Sequence, residues 1–315
     1  MQVRDFGNTS LRVSAYGLGC ARVGGIFQSG SAGFLDLLSF AYDNGVTFFD
    51  TADMYSQGES ESLIGKALRG KRDRIVIASK AGYKLPGQRR LAGKLKPLLR
   101  PIIQTLKIRR DRLPSGSRGA LSQDFSPKYL RGAVEGSLKR LRTDYLDILQ
   151  LHSPPTDVIE RGEWAPALEE LRRTGKVRYF GIAVDTLDAG LAALRMPGVA
   201  SLQFTLSLLE QQAAERLFPQ AQSQGIGVIA RECLGNGLLA KSATEVDIKA
   251  NCSSEEQVVQ RTRQLEELRQ AAQTAGRSLL QTAVAYPLTV PGVSVTLLGA
   301  RNVAQLSGLL DATRT

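Results

Sequence analysis

The chain has 315 residues, 43% of them hydrophobic and 23% charged, which is the composition of a globular protein with a large core and not of a disordered one. No apolar run approaches the roughly 20 residues that a membrane-spanning helix needs. The formal charge of +11 raises nucleic acid or anionic surfaces as partners, but it is concentrated: between Lys84 and Arg118 eleven basic residues face Asp111 as the one acid, and the rest of the chain is close to neutral.

The opening segment MQVRDFGNTS lacks the basic and then apolar pattern of a signal peptide. Cys20, Cys233 and Cys252 stand at unrelated spacings without a CxxC pair. Both features point to a cytoplasmic protein with reduced thiols.

Short apolar runs then recur along the chain. Strands are predicted at 14–18, 46–50, 74–79, 146–151, 178–183, 201–204, 227–230 and 293–299. Helical patterns lie at 31–44, 59–69, 127–142, 160–174, 208–224 and 255–275, and Gly45, Gly175 and Gly225 fall just past three of them as C-caps. Eight strands alternating with helices predict an α/β fold with a parallel sheet, closed as a (β/α)8 TIM barrel in a single domain over 1–315. An open doubly wound sheet is the alternative, but no GxGxxG follows the first strand.

Two stretches break the rhythm, a basic insertion at 84–125 and a polar loop at 237–255. In a barrel both lie at the C-terminal ends of the strands, where active sites are built. Within the insertion, 91–108 places Leu91, Leu95, Leu98, Leu99, Ile102, Ile103 and Leu106 on one helical face opposite Lys96, Arg100 and Lys107, with Pro97 and Pro101 breaking it into short turns. A lid packed on the barrel is the plain expectation, and contact of 84–118 with an anionic substrate or membrane surface the sharper one. Nucleic acid is not expected, since no aromatic residue lies between Lys84 and Arg118 to stack on bases.

Polar residues cluster at the ends of otherwise buried strands, in FFDTADMY (48–55), ASKAG (78–82), QLHSPP (150–155) and SLQF (201–204). Singly, a Tyr there packs, an Asp caps a helix and a Lys is solvated. His152 is the single histidine in the chain. Together, FDTADMYSQGESESLIGKAL, LRTDYLDILQLHSPP and GKVRYFGIA resemble the aldo-keto reductase family, in a bacterial-type form with a short C-terminal tail.

The resemblance implies an oxidoreductase with Asp50, Tyr55, Lys80 and His152 as catalytic residues. Chemically, an ammonium near a phenol favours phenolate, an Asp keeps that ammonium in place, and a neutral His orients a carbonyl. It also implies a nicotinamide cofactor, with NADPH favoured over NADH, held by Gly19, Cys20, Gln203, Arg231, Leu234, Gly235, Gly237, Gly299, Arg301 and Gln305. Arg231 stands where a planar group covers the nicotinamide, and Arg301 where a 2′-phosphate is gripped.

Three positions depart from the family pattern. Ala183 and Val184 replace a Ser-Asn pair, Gly308 and Leu309 replace a Glu and an Asn near adenine, and Glu232 sets an acid beside the pyrophosphate track unless it pairs with Arg231. Each lost buried partner predicts about 1–3 kcal/mol of weaker cofactor binding. The expected activity is reduction of a small aldehyde or ketone to an alcohol, or in reverse oxidation of a sugar hemiacetal. The alternative is a cofactor-sensing regulatory protein on the same barrel.

Overall fold

The computed structural model describes residues 1–23, 31–84, 122–240 and 243–314. The amphipathic pattern at 91–108, and with it most of the basic insertion, lies outside them.

A hairpin comes first, β1 (Val3–Asp5) antiparallel to β2 (Arg12–Ser14). It was not expected, because three-residue strands carry too little alternation to register as a period. Eight parallel strands follow: β3 (Tyr16–Gly19), β4 (Phe48–Asp50), β5 (Val76–Ala81), β6 (Leu146–His152), β7 (Val177–Ala183), β8 (Val199–Thr205), β9 (Gly227–Arg231) and β10 (Val293–Gly299). They close into a barrel in the order β10-β3-β4-β5-β6-β7-β8-β9, a (β/α)8 TIM barrel. Strands that face packed side chains on both sides read as continuous apolar runs, and all six residues of β5 are buried. The hairpin floors the barrel: Phe6, Leu11 and Val13 pack with Phe48, Ile148, Ile229 and Val295.

Helices cover the outside. They are α1 (Ser31–Asp43), α2 (Glu59–Ala67), α3 (Pro127–Leu141), α4 (Thr156–Arg161), α5 (Ala165–Arg173), α6 (Leu187–Leu194), α7 (Gln212–Arg216), α8 (Phe218–Ser223), α9 (Glu245–Lys249), α10 (Glu255–Thr274), α11 (Leu279–Thr289) and α12 (Val303–Ala312). The pattern at 160–174 is two helices separated by Gly162 in the left-handed region. The expected polar loop at 237–255 contains α9, started by a capping box between Thr244 and Asp247. Side-chain caps from Ser126, Thr186, Ser254, Ser278 and Asn302 start five others. Gly65 lets α2 lie directly on α3, since a Cβ there would stand 2.4 Å from the Leu141 carbonyl oxygen. Among the described residues no helix is long and apolar enough to cross a membrane. Cys20, Cys233 and Cys252 are free.

The base of the insertion is ordered as a narrow stem. Tyr83 and Gln123 form an antiparallel bridge, the Lys84 N–H donates to Ser122 O, and the Asp124 N–H donates to Gly82 O, both at 2.8 Å. Lys84 and Asp124 close it with an ion pair at 2.6 Å.

Candidate active site

Asp50, Lys80 and His152 occupy the C-terminal ends of adjacent strands β4, β5 and β6, which carries their side chains to one mouth of the barrel. Tyr55 reaches the same place from the short turn Tyr55–Gly58, where Ser56, Gln57 and Gly58 are all left-handed. For Ser56 and Gln57 this conformation costs on the order of 1–2 kcal/mol each, and the fold holds it partly through the Ser56 hydroxyl, which donates to Val23 O.

The Lys80 ammonium is fully enclosed and has three donors and three acceptors. It donates to Asp50 Oδ1 at 2.5 Å, to Thr51 O at 2.9 Å and to the Tyr55 hydroxyl oxygen at 3.4 Å. Because the phenolic oxygen accepts from Lys80, its own hydrogen is free to point elsewhere. The second Asp50 oxygen accepts from Gln203 Nε2 at 2.8 Å and more weakly from Gln150 Nε2 at 3.5 Å. His152 stands between two aromatic edges, Tyr83 at 4.9 Å and Tyr55 at 5.7 Å, both T-shaped.

Electrostatics sets the protonation of each group. Burial lowers the Lys80 ammonium, but the Asp50 carboxylate and Tyr55 outweigh it and hold it above the ordinary lysine value. Burial raises the Tyr55 phenol, Lys80 pulls it down, and the balance lies above the ordinary tyrosine value. The expected phenolate-favouring pull of Lys80 is therefore present but overcome by desolvation, so Tyr55 stays a proton donor at neutral pH. Burial first, then Lys80 and Arg231, push His152 well below its ordinary value, which leaves the imidazole neutral.

Asp53, between Asp50 and Tyr55 in the sequence, has its Oδ1 enclosed and without a partner. Burial first, then the neighbouring Glu61 carboxylate, raise its carboxyl from 3.8 to about 7. A carboxyl raised in the folded state favours folding below its unfolded value, and that contribution is lost as pH rises through about 7. Asp53→Asn is thus expected to raise stability near pH 8 by roughly 1–3 kcal/mol, and by much less near pH 5, as read from urea midpoints at the two pH values.

The expected cofactor residues fall along one arc of the mouth, on β3, β8, β9 and β10 and the loops that follow them. Gly19 pairs with Gly299 in the β3–β10 register. Gly237 and Gly299 have nothing within 4 Å of where a Cβ would stand, so both expose bare backbone. Leu234 and Gly235 lie in the same loop as Gly237, with Gly235 and Gly237 left-handed, and Arg301 is exposed before α12. Three of these residues have polar groups engaged within the protein itself. Cys20 is buried in the core with its N–H given to Asp50 O, Gln305 accepts from the Arg301 N–H at 2.9 Å, and Gln203 directs its amide at Asp50.

Arg231 donates to Val184 O at 3.1 Å and forms an ion pair with Asp185. Glu232 stands 3.7 Å from the same guanidinium, which answers the charge problem posed by that acid. The Arg231 Nε is buried without a partner. Ala183, Val184 and Leu309 are packed in the core, so apolar side chains there suit their places. A cleft of about 620 Å³ opens beside Arg231, lined by Asp185, Phe204, Glu210, Arg216 and Glu232 among others, and none of Asp50, Tyr55, Lys80 or His152 lines it.

Sequence reasoning missed Asp185, Gln150, Tyr83 and Gln123. Gln150 had a signal, since it opens the polar strand end QLHSPP; Asp185, Tyr83 and Gln123 had none, because their partners lie on other strands and loops.

The sequence model of the Aldo/keto reductase family matches residues 17–315. An uncharacterised oxidoreductase of Bacillus subtilis, YqkF, is 30% identical, covering 99% of this chain and 91% of that protein. A pyridoxal 4-dehydrogenase of Microbacterium luteolum is 28% identical over 96% of this chain and 90% of its own length. Among solved structures, the holo form of an aldo-keto reductase from Bacillus halodurans superposes with a TM-score of 0.78 at 27% identity, covering 100% of this chain and 91% of that one. By matching family model, sequence relatives and fold alike, the chain belongs to the aldo/keto reductase family of NAD(P)H-dependent oxidoreductases.

Proposed function

We propose that this protein reduces a small aldehyde or ketone to an alcohol with NADPH, Tyr55 acting as the general acid and Asp50, Lys80 and His152 as its partners. The observation that carries this reading is the Lys80 ammonium. It is saturated by Asp50, Thr51 and the Tyr55 oxygen, so it supports the developing phenolate while leaving the Tyr55 proton available. Neutral His152 donates a hydrogen bond to the carbonyl oxygen and orients it toward Tyr55. As the carbonyl carbon is reduced, the oxygen takes the Tyr55 proton and the negative charge left behind is met by Lys80. In reverse, the same groups serve oxidation of a hemiacetal hydroxyl.

A nicotinamide fits the residues present. When bound it supplies the hydride. The enclosed and unpartnered Arg231 Nε and the guanidinium anchored by Asp185 and Val184 offer a held planar surface, and the bare backbone at Gly237 and Gly299 leaves room for a phosphate chain. Gly19, Gln203, Leu234, Gly235 and Gln305 complete the arc. Arg301 favours a 2′-phosphate and so NADPH.

Tyr55→Phe tests the assignment. NADPH oxidation with aromatic aldehydes, dicarbonyls and sugar aldehydes should fall by about 10²–10⁴-fold, while the NADPH dissociation constant changes less than twofold. A fully active variant would defeat the mechanism. Tight NADPH binding without turnover of any carbonyl by the parent protein would favour a regulatory role instead.

A further inference from the structure

The catalytic histidine sits at a place where the barrel wall is incomplete. β5 and β6 stay paired only as far as Ala81 and Leu151. Beyond that, β5 turns away at Gly82, whose φ of +143° strains any side chain and where a Cβ would stand 2.3 Å from the Phe125 ring. His152 is left with β7 on one side, through Ala183. On the other side its strand neighbour has gone, and Ser153 bends into the left-handed region at φ +51°. A strand end with one free edge and a strained residue next to it is a poor place from which to aim an imidazole.

Among the described residues, one side chain supplies the missing edge. Gln123 Nε2 donates to Ser153 O at 2.8 Å and to His152 O at 3.2 Å, two carbonyls that lie beyond the last β5–β6 pair. Gln123 is itself held by its bridge to Tyr83, whose carbonyl accepts from the Tyr129 hydroxyl at 2.7 Å and whose ring lies edge-on to the imidazole. Two neighbouring bonds, from Asp124 N to Gly82 O and from Lys84 N to Ser122 O, lock the stem in register.

We propose that Gln123 is the positioning residue for His152, its amide replacing the absent β5 neighbour and fixing the peptide from which the imidazole reaches the carbonyl. The catalytic part of this assignment rests on the proposed role of His152; the structural part does not. Only a donor can satisfy two carbonyl oxygens. Gln123→Glu keeps the shape and reverses the electrostatics, and Gln123→Ala removes the group.

Because His152 is the single histidine of the chain, one set of imidazole ¹⁵N–¹H resonances reports on it alone. In both variants those resonances are expected to shift or split relative to the parent. Carbonyl kcat/KM should fall roughly 10–100-fold, the loss expected from misplacing a catalytic group by about 1 Å, with the NADPH dissociation constant unchanged. In Gln123→Glu part of the loss should return at low pH, where a protonated carboxyl donates again; Gln123→Ala should show no such recovery. Unchanged histidine resonances with kcat/KM within twofold of the parent in both variants would overturn the proposal. If the parent protein reduces no carbonyl, shifted resonances still support Gln123 as the anchor of His152, while the functional reading alone falls.

Discussion

Lys80→Met is expected to cost about 3–5 kcal/mol of stability, the loss that follows when one partner of a buried ion pair is removed, and to lower carbonyl turnover by about 10²–10⁴-fold. The stability loss comes from Asp50. Its carboxylate is 3% exposed and would keep only the amides of Gln203 and Gln150 once the ammonium is gone. The loss of turnover comes from Tyr55, whose phenolate would form without a neighbouring cation. The two effects separate in a double variant: Asp50→Asn in the Lys80→Met background removes the stranded charge and should restore most of the stability but none of the turnover. Urea unfolding together with single-turnover NADPH oxidation reads both. A stable Lys80→Met single variant would show that Asp50 is not a buried anion in that protein.

Asp147→Ala should be comparably damaging to stability and harmless to chemistry. Asp147 stands near the N-terminal end of β6, five residues before His152, or roughly 17 Å away along a strand. Its side chain is 1% exposed and receives Arg72 at 2.7 Å, Arg178 at 2.9 Å and the Ile77 N–H at 2.9 Å. Removing it strands a buried backbone donor and takes the counter-charge from two cations, of which Arg72 keeps hydrogen bonds to Thr143, Ile75 O and Tyr145 O and Arg178 one to Ser10. The arginines are 21% and 41% exposed and recover part of their hydration, and Arg72 keeps its stacking on Tyr145. About 3–4 kcal/mol is therefore expected, with kcat per folded molecule unchanged, as measured by unfolding midpoints and by activity normalised to the folded fraction. A drop in kcat at full folding would mean that the floor of the barrel communicates with its mouth.

The sequence alone determined the barrel and the membership of its mouth. Apolar runs that carry Asp50, Lys80, His152 and Gln203 at or near their ends are local facts, because a residue near the C-terminal end of a parallel strand reaches the C-terminal face wherever that strand lies in the barrel. Glycines after helices were legible for the same reason, since a left-handed cap is set by its own residue. The β1–β2 hairpin was not, being two strands too short to carry a period. Nor were the bond from Gln203 to Asp50, the pairing of Arg231 with Asp185, or the hold of Gln123 on His152. Those partners sit on different strands and loops, and which side chains meet across the mouth depends on the stagger with which the strands close. The sequence placed each group at an end of a strand; closure of the barrel decided its neighbours and, through burial and neighbouring charge, its protonation.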